Sequence, residues 1–262
     1  MPSFDPVCPR GFHVRGVGFA TRLVNQFWLA IVLALKLTIP SIAQSNDDSL
    51  RIYAVNVVKT PPFQRQFTGD GIYLGQGIVI TAAHVVGHWP SITQPRVLIG
   101  GQDLPAYIIK QGSYETIDLA LLSVDQTRLP VSLLLRRNPI CTKPFRVGDQ
   151  VIDVIPERTT RAQIISPLAI PAELRKRFRT LITAPQSSGS GIFDANSKCL
   201  LGIMSAKVSK RRYVMSNDHL MAIADGYAGY FVSAATIAYF IPSDFQFLVS
   251  QPSGFNLTTP LK

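Results

Sequence analysis

From about residue 50 to residue 233 the chain consists almost wholly of short segments rich in Val, Ile, Leu and aromatic residues, cut apart by Gly, Pro and polar turns. Continuous or alternating apolar runs of this length mark strands, and little of the chain shows the 3.6-residue period of an amphipathic helix. RIYAVNVVK, GIYLG, GIVITAA, PRVLIGG, LPAYIIKQ and LALLSVD supply about six strands before Pro130. That is enough to close one antiparallel barrel and leave no open sheet edge. FRVGDQVIDVIP, AQIISP, LITAP, GIFDA, CLLGIMSAKV and YFVSA supply a second set, with the crossing near Thr127 to Pro139. The expectation is an all-β chain of two six-stranded antiparallel β-barrels, at about 50–130 and 140–232. Two short helices are predicted: one in PAELRKRFR after Pro171, and one at about 233–241 with Ser233 as N-cap and Pro242 as its stop.

Three strings stand in one order along these segments: TAAHVV around His84, IDLALL around Asp118 and SSGSGIFD around Ser188. A hydroxyl is a poor nucleophile at neutral pH. It needs an imidazole to take its proton and a carboxylate to fix the tautomer of that imidazole. The flanking residues carry the argument, since some order of His, Asp and Ser occurs in any chain. Gly75 and Gly77 mark a hairpin turn whose second strand, Ile78 to Thr81, delivers His84 to its end. Asp118 opens the apolar run LALLSV, and a lone buried carboxylate requires a partner. Ser188 stands among small residues that allow backbone to approach a substrate closely.

Taken together, GDGIYLGQGIVITAAHVVG, DLALLSVD and SGSGIFDANSKCLLGIMS resemble the trypsin/chymotrypsin-like serine peptidases, particularly their secreted bacterial members. The resemblance spans roughly residues 50 to 245 and implies a double barrel of chymotrypsin type, with protein or peptide substrates. It implies that His84, Asp118 and Ser188 form the catalytic triad, and that the N–H groups of Gln186 and Ser188 form the oxyanion hole. By position it makes Ile182 the floor of the main specificity pocket. Ala206 and Lys207 fall on the strand that pairs with substrate, and Ser205 falls where the family has a serine bonded to the catalytic carboxylate, although an ordinary strand serine reads equally well there. An apolar floor implies cleavage after small or medium apolar residues. Two positions depart from the family pattern. Gln186 replaces a glycine, which either leaves the oxyanion hole collapsed at rest or lowers activity permanently; Ser187 replaces the Asp that pairs with a newly cut N-terminus, so activity is expected without propeptide cleavage. A catalytically impaired, protease-like binding protein is the alternative to the enzyme.

Residues 1–43 differ in kind. Arg10, Arg15 and Arg22 precede an apolar run from Phe27 to Leu35, and Ser41-Ile42-Ala43 presents small residues at the positions a signal peptidase reads. Phe27 to Ala43 is 17 residues, short of the roughly 20 that a spanning helix needs. A cleaved signal peptide is expected, with export to the periplasm or the exterior; an N-terminal membrane anchor is the competing reading. Removal of Cys8 with the leader leaves Cys141 and Cys199 as an even pair in an oxidising compartment, where a disulfide is expected and two buried thiols are the alternative. The processed chain carries 22 basic and 15 acidic residues, a net +7. Its clusters, Arg175, Lys176, Arg177 and Arg179, then Lys207, Lys210, Arg211 and Arg212, read as solvated faces or as attraction for acidic partners. Nucleic-acid binding is not expected, because no recognition motif or stacking platform accompanies the charge. Neither a metal nor an organic cofactor is expected. His13, His84, His88 and His219 lack ligand spacing, and no phosphate-cradling loop occurs. The residues beyond about 249 read as a loose tail.

Overall fold

The computed structural model describes residues 47–60, 66–87, 94–216 and 219–249, with the backbone alone across 210–227. The expected leader, His88, the C-terminal tail and the side chains of Lys210, Arg211, Arg212 and His219 lie outside the described residues. Strands β1 (Ala54–Lys59), β2 (Phe67–Gly75), β3 (Ile78–Thr81), β4 (Arg96–Ile99), β5 (Gln102–Gln111) and β6 (Ala120–Val124) close a barrel in the order β1-β2-β3-β6-β5-β4. Strands β7 (Gln150–Val154), β8 (Thr159–Ile165), β9 (Leu181–Thr183), β10 (Gly191–Asp194), β11 (Leu200–Ser216) and β12 (His219–Ser233) close a second in the order β10-β11-β12-β9-β8-β7. This is the expected all-β architecture.

Alternation builds the interiors. In β1, Val55 and Val57 turn inward to meet Tyr73, Val79, Leu104 and Leu122 in the first barrel. A second buried cluster runs through both barrels, joining Ile72, Ile80 and Leu121 of the first to Ile152, Ile192, Phe193 and Phe231 of the second. The shared apolar contact fixes the seam from which the site is built. The β2–β3 turn runs through Gly75, Gln76 and Gly77, all with positive φ, so two of its three left-handed positions carry the residue that tolerates them.

The structure departs from the sequence reading in three places. RIYAVNVVK is strand only from Ala54: Ser49–Tyr53 is a 3-10 turn, because buried Asp47 pairs with Arg161 and Lys198 while Arg51 Nε donates to the Pro156 carbonyl. Those bonds draw this segment onto the second barrel and out of the sheet. In PAELRKRFR only Ala172–Leu174 is helical, as a 3-10 segment. Arg175 instead donates back to the Ile170 carbonyl and Phe178 is buried, so the charged run is tied down as a loop. The last hairpin is far longer than expected, since the predicted YFVSA is only the end of a 15-residue β12. The C-terminal helix Ala234–Phe240 follows the sequence signals, with the Ser233 hydroxyl accepting from Thr236 N–H. No helix among the described residues is long and apolar enough to cross a membrane.

Cys141 and Cys199 form a disulfide with a Cα–Cα distance of 5.1 Å, closing 58 residues of chain. Ladder bonds hold the two ends together, from Leu200 N–H to Pro139 and from Cys141 N–H to Leu200. Loop entropy for a ring of this size corresponds to about 4 kcal/mol. Replacing both cysteines by Ala should lower unfolding free energy in urea by about 2–4 kcal/mol; an unchanged midpoint would show that the cross-link does not constrain the unfolded chain.

Candidate active site

Strand β3 ends at Thr81, and the short helix Ala83–Val86 that follows carries His84, whose side chain is about one third exposed. Asp118, only 2% exposed, stands just before β6, which is the ladder partner of β3. The two segments therefore leave the barrel side by side. Asp118 Oδ2 accepts from His84 Nδ1 at 2.7 Å, and Oδ1 accepts from the His84 backbone N–H at 3.0 Å. Ser205 Oγ, on β11 of the other barrel, donates to the same Oδ2 at 2.5 Å. Burial alone would raise the Asp118 pKa. The bonds from His84 and Ser205, with the imidazole charge beside them, outweigh it and hold the carboxyl below its ordinary value. A proton on Nδ1 leaves the lone pair of Nε2 free to act as a base.

Ser188 is brought to the same place by contacts with the first barrel. Its carbonyl accepts from Asp70 N–H at 2.9 Å, and the neighbouring Ser187 hydroxyl donates to the Asp70 carboxylate. Gly189 has φ +88°, and a Cβ there would lie 1.8 Å from the Asp70 carbonyl oxygen, so no other residue fits this approach. At rest Ser188 Oγ donates to the Ser205 carbonyl at 3.2 Å. A hydroxyl has one proton, so reaction requires it to leave that carbonyl for His84 Nε2.

Gln186 is buried and every polar group of its backbone amide and side chain that can donate is engaged. Its N–H donates to Asp153 Oδ2 at 2.7 Å, and its Nε2 donates to the Asp153 carbonyl at 2.6 Å. Its Oε1 accepts from Arg158 Nε at 2.8 Å. Gln186 is absent from the left-handed conformation that the corresponding glycine would favour. The N–H expected to face an oxyanion points at a carboxylate.

Asp153 and Asp70 were not singled out by sequence reasoning, yet both are buried beside the nucleophile loop. The available signal was the one that exposes Asp118: an acid interrupting an apolar run, here VIDVI. Desolvation pushes Asp153 up to about 6, aided by the charge of Asp70 and opposed by the bond from the Gln186 N–H. Tyr114 was also missed. Its ring meets His84 edge-on at 5.7 Å and lies under the Arg177 guanidinium at 4.4 Å. Ile182 is fully buried, paired with Ile164 and Gly229 inside the second barrel, and offers substrate no surface in this geometry. Ala206 is half-buried and Lys207 exposed along β11.

The two acids act on stability in opposite senses. Asp118, with its pKa lowered, stabilises the fold above its ordinary value of 3.8, and that contribution is lost as pH falls through the folded pKa. Asp153, raised from 3.8 to about 6, carries no charge penalty while protonated; that penalty grows from pH ~4 to ~6 and is complete above that, at about 3 kcal/mol. Asp153→Asn should flatten the fall in unfolding free energy across pH 4–6 relative to wild type. Identical pH profiles for the two proteins would contradict the raised value.

No family model matches the chain, and no curated protein matches it. Solved structures do. The active form of the Rv3671c protease from M. tuberculosis aligns over 79% of this chain and 86% of that one, with 19% identity and a TM-score of 0.52. Kallikrein-related peptidase 10 in complex with Zn2+ aligns over 72% of this chain and 93% of that one, with 17% identity and a TM-score of 0.50. At such identities the likeness is one of architecture, and two closed six-stranded antiparallel barrels are that architecture: the chain has the chymotrypsin-like fold of the trypsin-like serine proteases.

Proposed function

We propose that this chain is an exported serine endopeptidase whose triad is His84, Asp118 and Ser188. The observation that carries the reading is the buried Asp118 carboxylate, which takes His84 Nδ1 and Ser205 Oγ on one oxygen while Ser188 stands beside Ser205. A buried carboxylate arranged to orient an exposed imidazole serves little structural purpose. In acylation, Ser188 Oγ bonds to the peptide carbonyl carbon as its proton passes to His84 Nε2. That proton then goes to the leaving nitrogen as the C–N bond breaks. Water attacks the acyl-enzyme by the same route in reverse. The Ser188 and Gln186 N–H groups are the donors assigned to the oxyanion.

The substrates assigned are proteins or peptides, cleaved after small or medium apolar residues. What supports this preference is the apolar character of Ile182, at the position the resemblance gives to the pocket floor, where an unpaired substrate charge would be costly to desolvate. Lys207 is exposed on β11, where it favours acidic groups flanking the cleaved bond. The disulfide and the basic, apolar leader sequence support export to the periplasm or the exterior.

The engagement of Gln186 N–H by Asp153 favours one second reading, a binding protein that keeps the fold without turnover. Hydrolysis of a peptide library separates the two. The enzyme reading expects cleavage after apolar residues by the wild type, and Ser188→Ala should lower kcat/KM by on the order of a thousandfold or more with the melting transition unchanged. Cleavage by Ser188→Ala at the wild-type rate would overturn the triad. Inactivity of the wild type beside activity of Gln186→Gly would favour the binding protein.

A further inference from the structure

Resting on the peptidase reading, we propose that Asp153 is a positioning residue that sets the state of the oxyanion hole. Its carboxylate latches the Gln186 N–H away from the reaction centre, and the site becomes competent when the 185–186 peptide turns that N–H off Asp153. The geometry of one loop carries the idea. An amide N–H has a single proton, and in Gln186 it is directed at a fully buried oxygen 2.7 Å away. The bond is charge-assisted and shielded from water, which makes it stronger than an ordinary amide contact.

The choice of glutamine over glycine becomes intelligible on these terms. A glycine could donate its N–H to Asp153 but could do no more. The Gln186 side chain adds a second bond to the same residue, from Nε2 to the Asp153 carbonyl, and recruits Arg158 through Oε1. Arg158 lies in the β7–β8 turn, closed by Ile155 N–H on the Arg158 carbonyl. That turn is itself braced from outside the barrel. Arg51 Nε holds the Pro156 carbonyl, and Asp48 accepts from the Thr159 hydroxyl. The latch therefore ties the nucleophile loop to the segment around Asp48 and Arg51. On the opposite side of the balance, Ala184 sits at φ +46°, an uncommon conformation for a residue with a Cβ, two positions from the peptide that must turn. The closed loop is held against a local preference, so cutting the latch gives it a reason to move.

The groups around Asp153 define what its removal does. Asp70 from β2 repels it, Glu157 acts on Asp70 in turn, and the Gln186 N–H donates to it. Gln186 is the one of these assigned to the oxyanion; Asp70 holds the Ser188 carbonyl through its backbone N–H, which altering the Asp153 side chain leaves in place.

The test is the second-order rate at which a fluorophosphonate modifies Ser188 in wild type, Asp153→Asn, Asp153→Ala and Gln186→Gly. Asparagine can still accept the N–H through its carbonyl, though without charge, so the rates should rise in the order wild type, Asp153→Asn, Asp153→Ala, with the last at least about tenfold above wild type, or about 1.4 kcal/mol. A merely structural Asp153 gives the reverse order, with Asp153→Ala slowest and Asp153→Asn restored toward wild type, and that result overturns the latch while leaving the peptidase intact. Absence of modification in all four proteins overturns the peptidase reading and the latch with it. Should the Asp153 variants fail to fold, the crystal structure of the phosphonylated wild type decides. The expected result is Gln186 N within hydrogen-bond distance of the phosphonyl oxygen and parted from Asp153 Oδ2; an adduct formed with the Asp153 bond intact refutes the proposal.

Discussion

The carbonyl of Ser188 is held by the N–H of Asp70, and this one contact between barrels determines where everything else in the site can stand. Asp70 belongs to β2, whose ladder with β3 pairs Gly71 with Thr81, so its position follows from the strand that delivers His84. The nucleophile loop belongs to the second barrel. Binding it to Asp70 places Ser188 relative to His84 without any direct bond between those two side chains. The close approach is possible only because Gly189 has no Cβ. Asp118 repeats the same logic a layer deeper, since its carboxylate is shared between His84 of one barrel and Ser205 of the other.

Two buried carboxylates, Asp118 and Asp153, thus stand at the candidate site with opposite electrostatics. Asp118 receives enough donors to remain charged despite burial, which suits a group that must stabilise an imidazolium. Asp153 receives fewer and has Asp70 for a neighbour, so its charge is costly. The Gln186 N–H is what it gains in compensation. Competition for that one donor, between a resident carboxylate and an incoming oxyanion, links the resting fold to the chemistry assigned to it. The transition state carries a full developing charge on the substrate oxygen, whereas the ground-state carbonyl does not, so the competition is decided late in the reaction.

Much of this was legible in the chain. Strand-length apolar runs broken by Gly and Pro account for both barrels, and the Ser233 cap and Pro242 bound the last helix, because those signals are local. His84, Asp118 and Ser188 converge as their flanking strands require. What escaped notice depends on contacts far apart in sequence. Asp47 reaches Arg161 and Lys198 and pulls Ser49–Tyr53 out of β1, and nothing in RIYAVNVVK announces it. The charged run after Pro171 reads as a helix, but Arg175 bonds to the Ile170 carbonyl and Arg177 bonds to the Tyr114 carbonyl with its guanidinium over the Tyr114 ring. Asp153 was legible in principle, as an acid inside VIDVI, but its partner, a backbone N–H, has no signature in sequence.

The central claim is that Ser188 is a nucleophile activated by His84, and mapping a covalent adduct tests it most directly. After treatment of the full chain with a fluorophosphonate, tandem mass spectrometry of proteolytic fragments should locate a single phosphonyl group on Ser188, and His84→Ala should abolish it. An adduct on another residue, or one on Ser188 that forms equally well in His84→Ala, would contradict the account.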